Sequence, residues 1–305
     1  MQAKKKRTAA ASSPRPGPRW KRAVVPLLFL LPVMLFNLVV VSGPALGTVA
    51  LSFTNWTGFN APKFIGFENY RQLFSDQTFY AAMVNNLQWL VIFCTLPIVS
   101  ALFVAILISK IRRGKVFFRV IFFLPYTLST VLVSEIWSWI YDPLQGINTL
   151  LQKLGLHHLS YWLGDTHIVI YCIAAAAMWQ GWGFLLVIFM SALTQLDPSI
   201  EEAAKIEGAG SFQQLWYVTL PQLRSTIMLV LMLSVIGSFT VFDYVFIMTN
   251  GGPANASQVV GTYMYQEALY NQAPGYASSI ALMLGLFAFL VIGAFAILRK
   301  RGWEI

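Results

Sequence analysis

Charge is what this sequence has least of: Asp, Glu, Lys and Arg together make up 11% of its 305 residues, less than half of the roughly 25% found in soluble globular domains. A water-facing surface on a chain of this length needs more than that, which excludes a soluble fold. A bilayer accepts an apolar exterior and demands only that backbone polar groups be paired internally. Cysteine is almost absent as well. Cys94 and Cys172 lie inside apolar runs without CxxC or Cys/His spacing, so they read as small buried side chains rather than a disulfide or metal ligands. His157, His158 and His167 have no metal-ligand spacing either. No GxxxxGK[ST] stretch occurs, so the chain has no phosphate-cradling loop and no ATP or magnesium site of its own. With no nucleophile–base constellation in sight, an enzyme is excluded too.

What is there is 57% hydrophobic residues, arranged in runs near the roughly 20 residues that cross a bilayer. Six spans are expected, at about 23–48, 84–109, 120–141, 167–192, 226–248 and 277–298. The first run is longer than the roughly 7 to 15 residues of a signal-peptide core and reads as an uncleaved span. Residues 1–22 carry eight Lys and Arg among Ala, Ser and Pro and read as a disordered basic tail. The net charge of +9 does not point to nucleic acid, because its cations cluster at the ends of apolar runs. Eighteen Lys and Arg fall in the tail, the 110–119 turn, the 193–225 loop and the C-terminal segment 299–305, against Lys63, Arg71 and Lys153 elsewhere. This asymmetry puts both termini and those two connections in the cytoplasm. The fold class expected is an all-α membrane protein of six transmembrane helices.

The connection between spans four and five, 193–225, is the most informative segment. Asp197 or Ser199 can cap a helix start, Pro198 suits its first turn, and Glu201 and Glu202 favour its positive end. Gly208 supplies a left-handed stop, Ser211 with Gln214 forms a second capping box, and Pro221 ends the second helix. Ala203, Ala204, Gly208, Ala209 and Gly210 make a small-residue surface that another protein could approach closely, while Phe212, Leu215, Trp216 and Val218 give the second helix an apolar side. From these residues alone, a hairpin that docks a partner and one lying on its own bundle or the lipid surface are equally compatible.

Glu202-Ala203-Ala204, Gly208 and the closing Leu220-Pro221 resemble the EAA loop of binding-protein-dependent ABC importer permeases. Leu215, Val218 and Glu207 stand where that pattern more often has Phe, Ile and Asp, conservative changes. Phe64 to Tyr70, Tyr141 to Asn148 with Leu154-Gly155, and Thr249 to Pro253 extend the resemblance to the carbohydrate branch, in the style of maltose- and glycerol-phosphate-type permeases. The resemblance implies a coupling helix that docks in a groove of a nucleotide-binding subunit, through Glu201, Glu202, Ala203, Ala204, Glu207, Gly208, Ala209 and Pro221. It also implies two such ATPase subunits, which hold the ATP and magnesium, a second permease that is a related but different chain, an extracytoplasmic solute-binding protein, and a prokaryotic plasma membrane.

Ionisable groups inside a span cost roughly 2.5–3.5 kcal/mol at the bilayer centre and should face the bundle or a cavity. Glu135 in span three and Asp243 in span five, with Ser238 and Tyr244 beside the latter and Trp179, Gln180 and Trp182 in span four, are the candidate cavity residues. Helix–helix contact is the alternative for each. A secondary transporter or channel is the rival function, but two intramembrane acids make a thin ion relay.

Overall fold

The computed structural model describes residues 19–111, 113–156 and 161–300; the basic tail up to residue 18, His157, His158 and residues 301–305 lie outside them. Regular structure among the described residues is helical, apart from one isolated bridge between Thr54 and Phe64. Helices satisfy their own backbone groups, which is the condition a lipid environment imposes.

The chain divides into two compact units between Thr48 and Val49. In the first, α1 (Arg19–Asn37) runs through a π-helical turn (Leu38–Ser42) into α2 (Gly43–Leu51). Pro44 accounts for the wide turn: its ring would strike the carbonyl four residues back, and a wider winding carries that carbonyl aside. None of the apolar window Leu28–Leu51 is buried.

The second unit contains α3 (Glu68–Leu73), α4 (Gln77–Ser109), α5 (Lys115–Phe123) with a 3-10 turn (Leu124–Thr127), α6 (Thr130–Ile140), α7 (Ile147–Lys153) and α8 (Val169–Leu193). Then come α9 (Pro198–Ile206), α10 (Ser211–Gln214), a π-helical turn (Leu215–Thr219), α11 (Leu220–Gln222), α12 (Arg224–Phe239), α13 (Asp243–Met248), α14 (Val260–Leu269) and α15 (Pro274–Lys300). Four helices are long and apolar enough to cross a membrane, and two bent pairs, counted as one span each, bring the number to six.

Three spans differ from the expectation. The second begins at Gln77 rather than 84, because Asp76 caps α4 by accepting from the Thr78 and Phe79 N–H groups at 2.8 and 3.3 Å. The third is broken: Lys115–Thr127 and Thr130–Ile140 meet at 92°. Pro125 withholds an N–H there, and Ser129 restarts the helix by accepting from the Leu132 N–H at 3.3 Å. The fifth, expected as 226–248, is α12 followed by a separate α13. Thr240 ends α12 by donating its hydroxyl to the Ile236 carbonyl at 3.0 Å, and Asp243 starts α13 at the positive end of its dipole.

Packing inside lipid is driven by close contact rather than by removal of surface from water, so small residues mark the seams. Ala101 and Ala105 of α4 meet Leu185, Leu186 and Phe189 of α8 in one core, and Val230 of α12 closes it. A second core joins Trp89 of α4, Ile173, Ala174 and Ala177 of α8, and Val241, Val245 and Val259. Gly183 lets α8 touch α5 backbone to backbone: a Cβ there would strike the Phe122 carbonyl. A third core joins Phe79 and Ala82 of α4 to Tyr263 of α14 and Tyr276 of α15. Asp76 fastens these three helices, since its second carboxylate oxygen accepts from the hydroxyls of Tyr263 and, at 2.6 Å, Tyr276. Burial pushes the Asp76 carboxyl up, but the two tyrosine hydroxyls and the Phe79 and Thr78 N–H groups outweigh it and hold the group below its ordinary value.

Candidate functional site

The 193–225 connection forms a helical hairpin. Asp197 caps α9 by accepting from the Ser199 N–H at 2.9 Å, and this bond holds its carboxyl below the ordinary value. At the other end, Gly208 has φ +84. The Ala209 N–H reaches back to the Ala204 carbonyl at 3.0 Å and the Gly208 N–H to the Lys205 carbonyl at 3.1 Å, the paired bonds of a Schellman closure. The second helix starts one residue earlier than expected. Gly210, not Ser211, is the cap, and it is Gln213 that accepts from the cap N–H, at 2.9 Å, while Gln214 donates to the Ala209 carbonyl. Nor does Pro221 end this helix. A π-helical turn precedes it, so the ring is accommodated, and the chain bends after Gln222 by 69° into α12.

Glu202, Ala203, Glu207 and Gly208 are exposed on this hairpin, and Glu201, Ala204, Ala209 and Pro221 are partly so. Its largest uncovered surface is apolar: Ile206 is 87% exposed and Phe212, Trp216 and Tyr217 are exposed beside it. The Phe212 and Trp216 rings stack with centroids 6.3 Å apart. Ile206 and Tyr217 were not singled out from sequence. Their exposure on a segment bounded by Gly and Pro is the signal that could have done so.

A cavity of about 380 Å³ opens where the two broken spans face α4 and α8. Trp182, Ser238, Asp243 and Tyr244 line it, four of the seven residues expected. Gln180, a fifth, is buried behind it and fastens both breaks: its amide donates to the Leu128 carbonyl at 2.7 Å, and its carbonyl accepts from the Tyr244 hydroxyl. The remaining two lie elsewhere. Trp179 borders a groove with Trp182 and Phe122, its ring centroid 6.0 Å from that of Trp137. Glu135 is exposed and lines a groove between α6 and α7.

The cavity wall also holds aromatic residues that carry no charge to mark them in a sequence. Trp89 stacks on Phe93 at 4.9 Å, and Tyr126 stacks on Phe184 at 4.8 Å. Trp182 is steered by its indole N–H, which donates to the Ser100 hydroxyl at 2.9 Å. Among the described residues, Asp243 is the single carboxylic acid on the wall, and no Lys, Arg or His lines it. Asn86 of α4, fully buried, holds the wall in place by donating to the Ser238 carbonyl and accepting from the Val260 N–H, both at 2.8 Å.

Residues 98–303 match the family described as binding-protein-dependent transport system inner membrane component. The probable ABC transporter permease YurN of Bacillus subtilis is 35% identical over 266 residues, covering 86% of this chain and 91% of the relative. The multiple sugar-binding transport system permease MsmF of Streptococcus mutans is 32% identical, with 92% and 93% of the two chains covered. Among solved structures, a bacterial ABC transporter involved in import of the acidic polysaccharide alginate superposes with a TM-score of 0.82 at 22% identity, covering 93% of this chain and 98% of that one. At that identity the likeness is one of fold. With the helical spans, the hairpin and the family match over about two thirds of the chain, the protein belongs to the binding-protein-dependent transport system inner membrane components and is a multi-pass membrane permease.

Proposed function

We propose that this chain is one pore-forming subunit of an ATP-driven importer for a neutral sugar or oligosaccharide. The observation that carries the substrate class is the wall of the cavity at the two breaks: stacked aromatic rings, hydroxyls and one carboxylate, with no cation among the described residues. Aromatic faces cover the apolar faces of sugar rings, and a carboxylate accepts from their hydroxyls. A glycerol-phosphate-like solute would bring its anion to Asp243 with nothing to neutralise it. The cavity volume lies within the roughly 300–1,000 Å³ of small-molecule sites. Relatives named for multiple sugars and for starch degradation products support the same class.

Coupling to ATP is assigned to the hairpin. Its exposed Ile206, Phe212, Trp216 and Tyr217 form an apolar patch, and Glu201, Glu202 and Glu207 give it an acidic rim. That combination suits a groove with apolar floor and basic edges on a separate ATPase subunit, with the exposed Gly208 closing the turn. Substrate enters from an extracytoplasmic binding protein, and a second permease supplies the other half of the pathway.

The test is uptake into proteoliposomes holding the complete transporter, with maltotriose and glycerol 3-phosphate as probes. Maltotriose uptake that requires ATP, and that falls at least about tenfold in Asp243→Asn and Trp182→Ala without loss of subunit assembly, is expected from removal of contacts of about 1.4 kcal/mol or more. Uptake of glycerol 3-phosphate alone, or uptake without ATP, would overturn the reading.

A further inference from the structure

The cavity at the two breaks holds an anion that the rest of the chain leaves unanswered. Asp243 is exposed at the break in span five. Among the described residues its carboxylate accepts no hydrogen bond and forms no ion pair, and no cationic side chain lines the cavity. An ionisable group at a span is expected to find a partner. The rings of Phe242 and Tyr244 flank it in sequence, and those of Trp89, Tyr126 and Trp182 stand on the same wall. Aromatic faces carry the negative end of the ring quadrupole, so they and the carboxylate act in the same direction: both attract a positive charge.

The hydrogen bonds of the wall point the same way. Thr240 gives its hydroxyl hydrogen to the Ile236 carbonyl at 3.0 Å, Trp182 gives its N–H to Ser100 at 2.9 Å, and Tyr244 donates to Gln180. Thr130 is itself paired with the Tyr244 hydroxyl. Ser234 and Tyr126 are left as hydroxyls with a hydrogen to give. A wall that has spent most of its donors and keeps an open carboxylate suits a ligand that donates more than it accepts. A sugar hydroxyl does both, whereas an ammonium group offers three donors, a charge and no acceptor. A metal cation does not fit, since the described residues contain no group of three or more His, Cys, Asp or Glu that could hold one, and a hard cation asks for more oxygen ligands than one carboxylate supplies.

We propose that this cavity also takes sugars bearing a protonated amine, and takes them in preference to neutral sugars of the same shape, with the ammonium on Asp243 among the aromatic faces. The proposal rests on the reading of this cavity as the substrate site and adds a cationic class to its neutral one.

The test titrates the full chain, purified in detergent, with cellobiose or with the matching β-1,4 disaccharide of glucosamine, in which an ammonium replaces one hydroxyl on each ring. Tryptophan fluorescence reports binding, because Trp89 and Trp182 line the cavity. The glucosamine disaccharide should bind about tenfold more tightly. General attraction does not account for that preference, because the chain carries a net charge of +9. Acetylating both amines removes the charge and should abolish the advantage, a control that depends on no variant folding. Asp243→Asn should bring the two disaccharides to parity, Asp243→Glu should keep most of the preference, and Glu135→Gln, in its separate groove, should leave it unchanged. An advantage that survives acetylation or Asp243→Asn, or that Glu135→Gln removes equally, would overturn the proposal. Cellobiose binding with no preference for the amine overturns it while the substrate-site reading stands; binding of neither disaccharide overturns both.

Discussion

Gly208 allows backbone conformation to be separated from side-chain bulk in the hairpin to which coupling is assigned above. Its φ of +84 lies where side chains of L-residues are strained, yet a Cβ added there would meet nothing within 4 Å. Any substitution therefore pays in conformation and none pays in collision. An L-residue held left-handed costs roughly 1–2 kcal/mol, and Asn less, because its short polar side chain tolerates the region. At 1.4 kcal/mol per factor of ten, Gly208→Ala should lower the ratio of closed to open hairpin by about five- to thirtyfold. Gly208→Asn should lose less, and Gly208→Arg should match Ala in backbone cost while adding bulk to the docking face. In proteoliposomes, substrate-dependent ATP hydrolysis and uptake should fall in the order Gly, Asn, Ala, Arg. The melting temperature of the purified chain should not move, because the strain is confined to an exposed turn. Full coupling in Gly208→Ala, or an Asn variant as defective as the Arg variant, would refute the backbone explanation and leave volume at the docking face as the cause.

Gln180→Leu orphans the Leu128 carbonyl and takes one partner from the Tyr244 hydroxyl, which keeps Thr130. At about 1–3 kcal/mol for a buried group left unpaired, a loss of that size is expected in thermal denaturation, and an unchanged melting temperature would contradict the tie between the two breaks. Asp76 predicts a pH dependence. Its carboxyl titrates lower folded than unfolded, so the stability it contributes is complete above the unfolded value of about 3.9 and is lost as the pH falls through the lower folded one. Stability in detergent should therefore decline with acid below about pH 4, and Asp76→Asn should flatten that decline; an identical slope in the variant would remove Asp76 as its source.

How much was legible in the sequence depended on how local the causes were. The hairpin was legible nearly to the residue, because Asp197, Pro198 and Gly208 act on neighbours within one turn. The second cap was displaced by one because Gln213 and Gln214 stand side by side and only the backbone geometry chooses between them. The start of α4 was hidden for the opposite reason. Asp76 lies outside the apolar run that marks the span, and the tyrosines that fix it, Tyr263 and Tyr276, come more than 180 residues later in the sequence. The breaks at Pro125 and Thr240 leave the apolar runs unchanged in composition, so hydropathy passes over them. An acid in such a run stands out wherever it points. Asp243 and Glu135 look alike in the sequence, but the break in span five brings Asp243 to the cavity while the uninterrupted α6 carries Glu135 to a separate groove.

The break between α12 and α13 has a consequence for how selectivity can change. The carbonyls at the end of α12 are taken from within the chain, Ile236 by the Thr240 hydroxyl and Ser238 by the Asn86 amide. The polar groups left at the cavity edge therefore belong to side chains, Asp243 and Tyr244 among them. The break is held by residues other than Asp243, so the carboxylate at the wall can be exchanged without undoing the backbone that presents it.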